Sequence, residues 1–516
     1  MRTKASTNVA DSPAADSPTA DSTTTAKTTA TITANTTTDT NTNTADTNTD
    51  TAAAKNRWFL SSAPIFSALV HLCVPMAAAM VVSAVYNVIN SAFIGSQHDT
   101  SLLAAITFGT PLLGLIMAVG GVFGVGGSSL ISRTLGAAEH DPARAADIKR
   151  IASFALWGAI AVGAVLAVLG LILLDPLVAL LGADAAAVSA TSAYVGVMLA
   201  FVPVLAAAFT LEQIVRSEGA ARQAMIGLML SVAGNLVFDV LFILVLHWGV
   251  AGAALAIGLG NAISIAYWLV WLQRNSEHVS FAPRWFTLRP EIMKQVFGIG
   301  AGELLQAGFI IVTTLVLNNL ASAYGDNALA AMGVAVRIAQ VPEFLVMGVT
   351  IGVLPLLAYA FGKGDAARLN AALRGAAIAV GAIVLVFSGT VFIFREQVFG
   401  VFSADHSVLA IGVVILTAQL VATIVNGFTG LIVSLFQATG LVAPAMGMSL
   451  AQGVLFIPIV ILGNLWFGLA GIVWALTGTE VLVFLAGITL WLASRRRIAR
   501  GLGAATSQQA LEPLAS

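Results

Sequence analysis

Long apolar runs recur along this chain from Ser67 onward, near 67–93, 103–130, 150–174, 186–210, 224–246, 250–272, 293–321, 328–358, 371–394, 407–434, 444–463 and 467–492. A run of roughly 20 mostly apolar residues crosses the hydrocarbon of a bilayer as one α-helix. Lipid offers no partner for backbone N–H and C=O groups, so only helices and closed β-barrels span it, and these runs are about twice the length of a barrel strand. The chain is 58% apolar and 9% charged, whereas soluble domains carry charge at roughly a quarter of their positions. The expected fold is an all-α membrane protein with twelve transmembrane helices.

The basic residues orient these helices. Lys55 and Arg57 precede the first run; Arg133, Arg144, Lys149 and Arg150 follow the second; Arg216 and Arg222 follow the fourth. Arg274, Arg284, Arg289 and Lys294 follow the sixth, Lys363, Arg368 and Arg374 the eighth, and Arg495, Arg496, Arg497 and Arg500 the last. The loops after odd-numbered runs hold a single basic residue, Arg395. Excess Lys and Arg mark the cytoplasmic side, so both termini are expected inside, in a multi-pass protein of the plasma membrane.

The two halves echo each other. Leu103-Ala-Ala recurs as Leu329-Ala-Ala, Leu135-Gly-Ala-Ala-Glu139 as Phe361-Gly-Lys-Gly-Asp365, and Gly249-Val-Ala-Gly252 as Gly468-Leu-Ala-Gly471. An even number of spans per half keeps the copies in one orientation, as in transporters built from parallel repeats related by an axis normal to the membrane. Two six-helix bundles with a parallel pseudo-two-fold repeat are expected, as lobes over 58–278 and 279–494. Tails over 1–57 and 495–516 flank them. A duplicated channel or scaffold is the blander reading, and the glycine and proline content of the spans favours a moving transporter. The repeat is unequal in one place: aligning Ala224-Met225 with Ala445-Met446 sets Asp239 opposite Val460 and Asn235 opposite Phe456.

Residues 1–57 are dominated by Thr, Ala, Asp, Asn and Ser and carry little to bury, so a disordered arm is expected there. Cys73 stands alone inside an apolar run, which leaves no disulfide framework. No P-loop, His-Glu-x-x-His pair or Gly-x-Ser-x-Gly elbow occurs in the sequence. An enzyme is therefore not expected, nor is a bound cofactor. Without an ATP site, movement of cargo would be driven by an H⁺ or Na⁺ gradient or be passive. A net charge of -1 offers no surface for nucleic acid. The run Gly120-Gly-Val-Phe-Gly-Val-Gly-Gly127 resembles a phosphate cradle, but small residues at that spacing serve close helix approach in membranes.

Each ionisable group in a span needs a reason, since a charge at mid-membrane costs at least about 2.5–3.5 kcal/mol on insertion scales. Asp239 lies well inside the fifth run, with Asn235 one turn earlier on the same face. This pair can hold a proton or a sodium ion; the alternative is an Asp satisfied structurally by neighbouring helices. Glu303 and Gln306 in the seventh run, and Tyr86, Asn87 and Asn90 in the first, are candidates to line a cavity or to bind helices together. Arg337 and Glu343 share the eighth run but stand six apart and so face different sides. Arg337 is expected either at the substrate cavity or locked onto a buried acid, and Glu480 could serve either purpose. Glu212 and Arg216, beside Glu218, are expected to form a cytoplasmic gate or helix-end network.

In order and spacing, several segments resemble the multidrug and toxic compound extrusion (MATE) family from about residue 60 to 494. They are Tyr86-Asn-Val-Ile-Asn-Ser-Ala-Phe-Ile-Gly95, Leu103-Ala-Ala with Pro111, and Gly126-Gly-Ser-Ser-Leu-Ile-Ser-Arg-Thr-Leu-Gly136. Glu212-Gln-Ile-Val-Arg-Ser-Glu-Gly219, Asn235-Leu-Val-Phe-Asp239 and Phe436-Gln-Ala-Thr-Gly440 complete the set. The resemblance implies a proton- or sodium-coupled antiporter that expels bulky, often cationic amphipathic compounds from a cavity between two lobes. It makes Asn235 and Asp239 members of a cation site in the N-terminal lobe, with Asn90 where the family commonly has Asp. Ile257 stands in place of a site-forming Thr, and Val240 in place of a Pro. Gln437 is grouped with Glu212 and Arg216. A lipid-linked saccharide or lipid flippase of the same architecture is the alternative, and it would want a groove rich in Arg and Lys. The expected partners are a drug-like small molecule and the lipid bilayer, around a monomer.

Overall fold

The computed structural model describes residues 54–96, 100–181, 187–400 and 406–511. The expected disordered arm lies outside them as far as residue 53, and its last residues enter a short helix, α1, over 54–61. Eleven described helices are long and apolar enough to cross a membrane, and twelve if one bent pair is a single span. They begin with α2 (Ile65–Ser96), α3 (Thr100–Ala138) and α4 (Ala145–Ile172), which is followed by the short α5 (Leu174–Leu180). The bent pair is α6 (Val188–Ala200) and α7 (Val202–Ser217), set at 51°. Pro203 enters the first turn of α7; it has no N–H for the helix ladder and its ring excludes a continuous helix, which fixes the bend there. Then come α8 (Ala221–Asp239) and α9 (Gly249–Asn275).

The second half comprises α10 (Pro290–Ser322), α11 (Asp326–Lys363), α12 (Ala366–Ile393), the short α13 (Arg395–Gly400), α14 (His406–Thr439), α15 (Val442–Phe467) and α16 (Leu469–Leu511). Among the described residues there is no strand. α16 does not stop where its apolar run ends but continues through Arg495–Arg497 to Leu511. Arg, Ala, Leu and Gln are strong helix formers, so this stretch remains helical beyond the apolar segment.

Within the halves α8 packs on α9, α3 on α7, α11 on α14 and α15 on α16; between them α3 meets α10 and α11, and α2 meets α11. Glycines set where these helices touch. The run in α3 turns a different glycine toward each neighbour: Gly124 faces Thr210 of α7, Gly127 faces Ala155 of α4, and Gly126 faces α10. A Cβ on Gly126 would stand 2.1 Å from the Val296 carbonyl oxygen, and one on Gly300 would stand 1.9 Å from that of Val122. Gly362 abuts the Arg133 carbonyl at 1.9 Å and Gly348 the Ala77 Cα at 2.4 Å in the same sense. The run is thus a close-packing device.

These approaches between halves all fall in the half of each helix nearer the loops rich in Lys and Arg. In the other halves of the same helices, a Cβ on Gly114 of α3, Gly308 of α10 or Gly333 of α11 would meet no neighbouring atom within 4 Å. The two halves are therefore pressed together at the basic end and apart toward the opposite end. Ser129 of α3 adds a hydrogen bond to the Gln437 carbonyl of α14 at 2.5 Å. Arg368 of α12 holds the last carbonyls of α1 and of the turn after it, donating to Leu60 at 2.6 Å, Phe59 at 2.8 Å and Ala63 at 2.9 Å. Those carbonyls lack helical partners and carry the negative end of the helix dipole, so a guanidinium suits them.

At the mouth of the basic end Lys363 pairs with Glu139 at 2.5 Å, and Tyr359 donates to the same carboxylate. Both charged side chains are about a quarter exposed, at 25% and 24%, so water and salt weaken the pair to about 1 kcal/mol or less. Lys363→Ala is expected to shift the open–closed balance at this end by no more than about five-fold. Thiol-labelling rates of a cysteine at Ala366 are the check, and a shift of a hundred-fold would mean the pair is the gate itself.

Candidate functional site

Where the halves separate above the basic end they enclose a cavity of about 650 Å³. Its wall is part polar and part adaptable. Met80 of α2, Met117 of α3 and Met347 of α11 contribute flexible thioethers, while Phe209 and Trp268 contribute flat apolar surface. None of these five is marked out in the sequence, because an apolar residue in an apolar run gives no sign of which way it points.

The charged part of the wall comes from both halves. Glu212 and Arg216 stand one turn apart on α7, 3.6 Å from each other and nearly inaccessible. Glu303 of α10 accepts from the side-chain amide of Gln437 at 3.1 Å and packs against Gly121 of α3. Arg216 also interacts electrostatically with Glu303, and its Nε and Nη1 have no hydrogen-bond partner among the described residues. Glu212, Arg216 and Gln437, expected at a gate or helix end, thus line the cavity itself, as Gln306 does. Two carboxylates against one guanidinium bias this wall toward a cationic occupant. Glu218 lies apart from them, past the end of α7. It accepts from the Ser276 hydroxyl, and burial pushes its carboxyl up to about 7.

The expected ion-holding pair sits behind the wall. Asp239 and Asn235 are 3% and 5% exposed, between α8, α9 and α2. Neither lines the cavity; Tyr86 of α2 does, with its hydroxyl turned inward to Asn235. The Asn235 amide is satisfied with its nitrogen toward the acid. It then donates to Asp239 at 2.7 Å and to the Tyr86 hydroxyl at 2.5 Å, while its oxygen accepts from the Ile257 backbone N–H at 3.0 Å. Ile257 therefore contributes a backbone donor where a hydroxyl was expected by resemblance. Tyr194 of α6 is also within electrostatic reach of Asp239. Only five tyrosines occur in the chain, and that scarcity is the one signal by which Tyr194 could have been singled out.

Immediately after Asp239 the helix widens into a π-helical turn over Val240–Val245. Such turns add a residue to the helical ladder and are common at functional positions. The wide turn occupies the place where the resemblance leads one to expect a proline.

The remaining candidates fall elsewhere. Asn90 is half-buried one turn beyond Tyr86 and bonds to neither Asp239 nor Asn235. The side chain of Asn87 lies outside the described residues. Arg337 corrects the expectation placed on it: it is exposed on α11 and, among the described residues, lines no cavity and forms no ion pair. Glu343, six positions on and about a third of a turn away round the helix, is the residue that points inward.

The MatE family model matches residues 75–241 and 300–462, one segment in each half. This chain belongs to the MatE family. Multidrug export protein MepA of Staphylococcus aureus is 31% identical over 441 residues, covering 86% of this MatE chain and 96% of that protein. MepA of Staphylococcus saprophyticus matches at the same identity and coverage. Among solved structures, an outward-facing multidrug resistance MATE family transporter of the MOP superfamily superposes with a TM-score of 0.78 at 24% identity, covering 87% of this chain and 98% of that one. A MOP superfamily transporter from Pyrococcus furiosus, described as having a binding pocket of reverse polarity, gives the same figures. At that identity the likeness speaks for the fold. As a MatE protein the chain is a multi-pass membrane transporter with twelve membrane spans.

Proposed function

We propose that this protein exports bulky amphipathic compounds, cationic ones above all, by antiport against H⁺ or Na⁺. The observation that carries the proposal is the arrangement of Tyr86, Asn235 and Asp239: a sealed acid joined to the wall of a cargo-sized cavity through two hydrogen bonds. The chain works in the plasma membrane as a monomer with both termini cytoplasmic. The basic end is then the cytoplasmic end, and the cavity opens outward.

In this cycle an ion from outside reaches Asp239 and neutralises it. Asn235 no longer donates to a charge, the Tyr86 link loosens, and the wall changes shape. Cargo leaves outward, the lobes rock, and the ion is released inside. Neutralisation drives this only if it favours one state of the lobes over the other. Export by MepA, the multidrug export protein matched above, supports the cargo class. The flippase alternative wants a basic groove, and a wall with Glu212 and Glu303 against Arg216 alone argues against it.

The link is testable apart from the acid. Tyr86→Phe keeps the ring on the cavity wall but removes the hydroxyl. Cationic dye should still bind to the purified variant, while dye efflux driven by an ion gradient falls at least about ten-fold, a coupling loss of roughly 1.4 kcal/mol. Unchanged gradient-driven efflux would remove the hydroxyl from the mechanism.

A further inference from the structure

The helices that line the cargo cavity as far as Val125 of α3 and Leu354 of α11 go on to line another, of about 680 Å³, at the basic end. α3 and the turn after it supply Arg133, His140 and Arg144, and α11 supplies Phe361. Gly501 and Ala504 come from the part of α16 that outlasts its apolar run. Gly501 lets that extension lie against the Phe361 ring, which stands 2.7 Å from where a Cβ would be. The wall is therefore built from both halves. No Asp or Glu is among the described residues lining it.

Arg133 is the group that lacks a partner. Its Nη2 is buried with no hydrogen bond among the described residues, its Nη1 lies over Gly440, and its Nε reaches only the Ser129 carbonyl at 3.3 Å. It forms no ion pair among the described residues. The acid nearest in sequence, Glu139, is taken by Lys363 and Tyr359. His140 donates from Nε2 to the Lys363 carbonyl at 3.2 Å, and the pair of Arg144 with Asp141, at 3.3 Å, is exposed and weak. A buried guanidinium without a counter-charge is costly, and its planar fork matches two oxygens of a phosphate. Arg495, Arg496 and Arg497, on the α16 extension, add positive charge where the helices leave the bilayer, the level of lipid headgroups. We infer that this cavity binds a phosphate group through Arg133, with Arg144 and His140 beside it, the group belonging either to an anionic lipid headgroup or to free phosphate. Its volume lies within the roughly 300–1,000 Å³ of ligand pockets and admits a whole headgroup. A group held between α3 of one half and α11 and α16 of the other favours the state in which the basic end is closed. The site is separate from Asp239 and stands whether or not Asp239 couples transport.

The experiment uses the purified full chain, stripped of lipid in detergent. Labelled inorganic phosphate is followed by equilibrium binding. Phosphatidylglycerol is followed by native mass spectrometry, with phosphatidylcholine as the lipid of no net charge. The wild type should bind phosphate or phosphatidylglycerol saturably. Arg133→Gln should weaken that binding at least about ten-fold, and Arg144→Gln combined with His140→Gln several-fold. The combined variant lies beyond the end of α3, so it tests the site even if Arg133→Gln fails to fold, which gel filtration reports. Binding of phosphate without phosphatidylglycerol assigns a soluble source, and binding of phosphatidylglycerol in preference to phosphatidylcholine assigns a lipid headgroup. The inference is overturned if neither probe binds saturably, or if the two lipids bind alike while phosphate does not bind. It is equally overturned if every folded variant binds as the wild type does.

Discussion

Asp239→Asn is expected to reduce ion-driven efflux to the leak rate of empty vesicles while the protein still inserts and folds. Asn fits the same space and can accept from the Asn235 nitrogen, so the bonds from Asn235 to Tyr86 and to the Ile257 backbone can persist. What disappears is the charge. An amide cannot be neutralised by a proton or a metal cation, so the ion loses the differential affinity by which it shifts the lobes. Shifting a two-state balance from one side to the other takes about 5.5 kcal/mol of differential binding, more than secondary contacts around the site can replace. The measurement is dye efflux from proteoliposomes with protein content normalised by immunoblot. Wild-type efflux from the variant would show that Asp239 is a structural acid, the reading its burial otherwise permits.

The second large effect concerns the closure of the basic end. Gly300→Leu places side-chain carbon where the Val122 carbonyl oxygen of the other half stands 1.9 Å from a Cβ. Backbone on both sides cannot yield as a side chain can, so the cost lies at or above the upper end of the 1–3 kcal/mol usual for overpacking. The contact joins α10 to α3, hence the two halves, and each half keeps its own packing. The states of such a protein differ by a few kcal/mol, and about 3 kcal/mol amounts to roughly a 150-fold change in their ratio. The variant is expected to rest with its basic end open and to transport at least about ten-fold more slowly. Spin labels on Ala143→Cys and Ala366→Cys should report a longer distance in Gly300→Leu than in its parent. An unchanged distance together with normal transport would contradict the closure described for α3 and α10.

The spans were legible because length and hydropathy alone define them, and the twelve runs map onto the twelve helical spans. The break between α6 and α7 was not, since Pro203 in an apolar run signals a kink without its angle. Asn235 and Asp239 could be read as one face because helical spacing fixes relative azimuth along a single helix. Their sealing behind Tyr86 could not, because it depends on how α2 lies against α8. Arg337 failed for the same reason: the six-residue step to Glu343 told that the two diverge, not which of them faces the cavity. The glycine run yielded its purpose, close packing, but not that Gly124, Gly126 and Gly127 serve three different neighbours. Glu480 was visible as an acid in a span, yet its second oxygen without a partner emerges only from the packing of α11, α15 and α16.

The proposed cycle requires above all that cargo move against an ion. Proteoliposomes loaded with a fluorescent cationic dye, given first a pH gradient and then a Na⁺ gradient of equal size, put this to the test. The account predicts dye movement up its own gradient under one of the two, ceasing when an ionophore collapses that gradient. Dye that merely equilibrates, at a rate indifferent to both gradients, would contradict it.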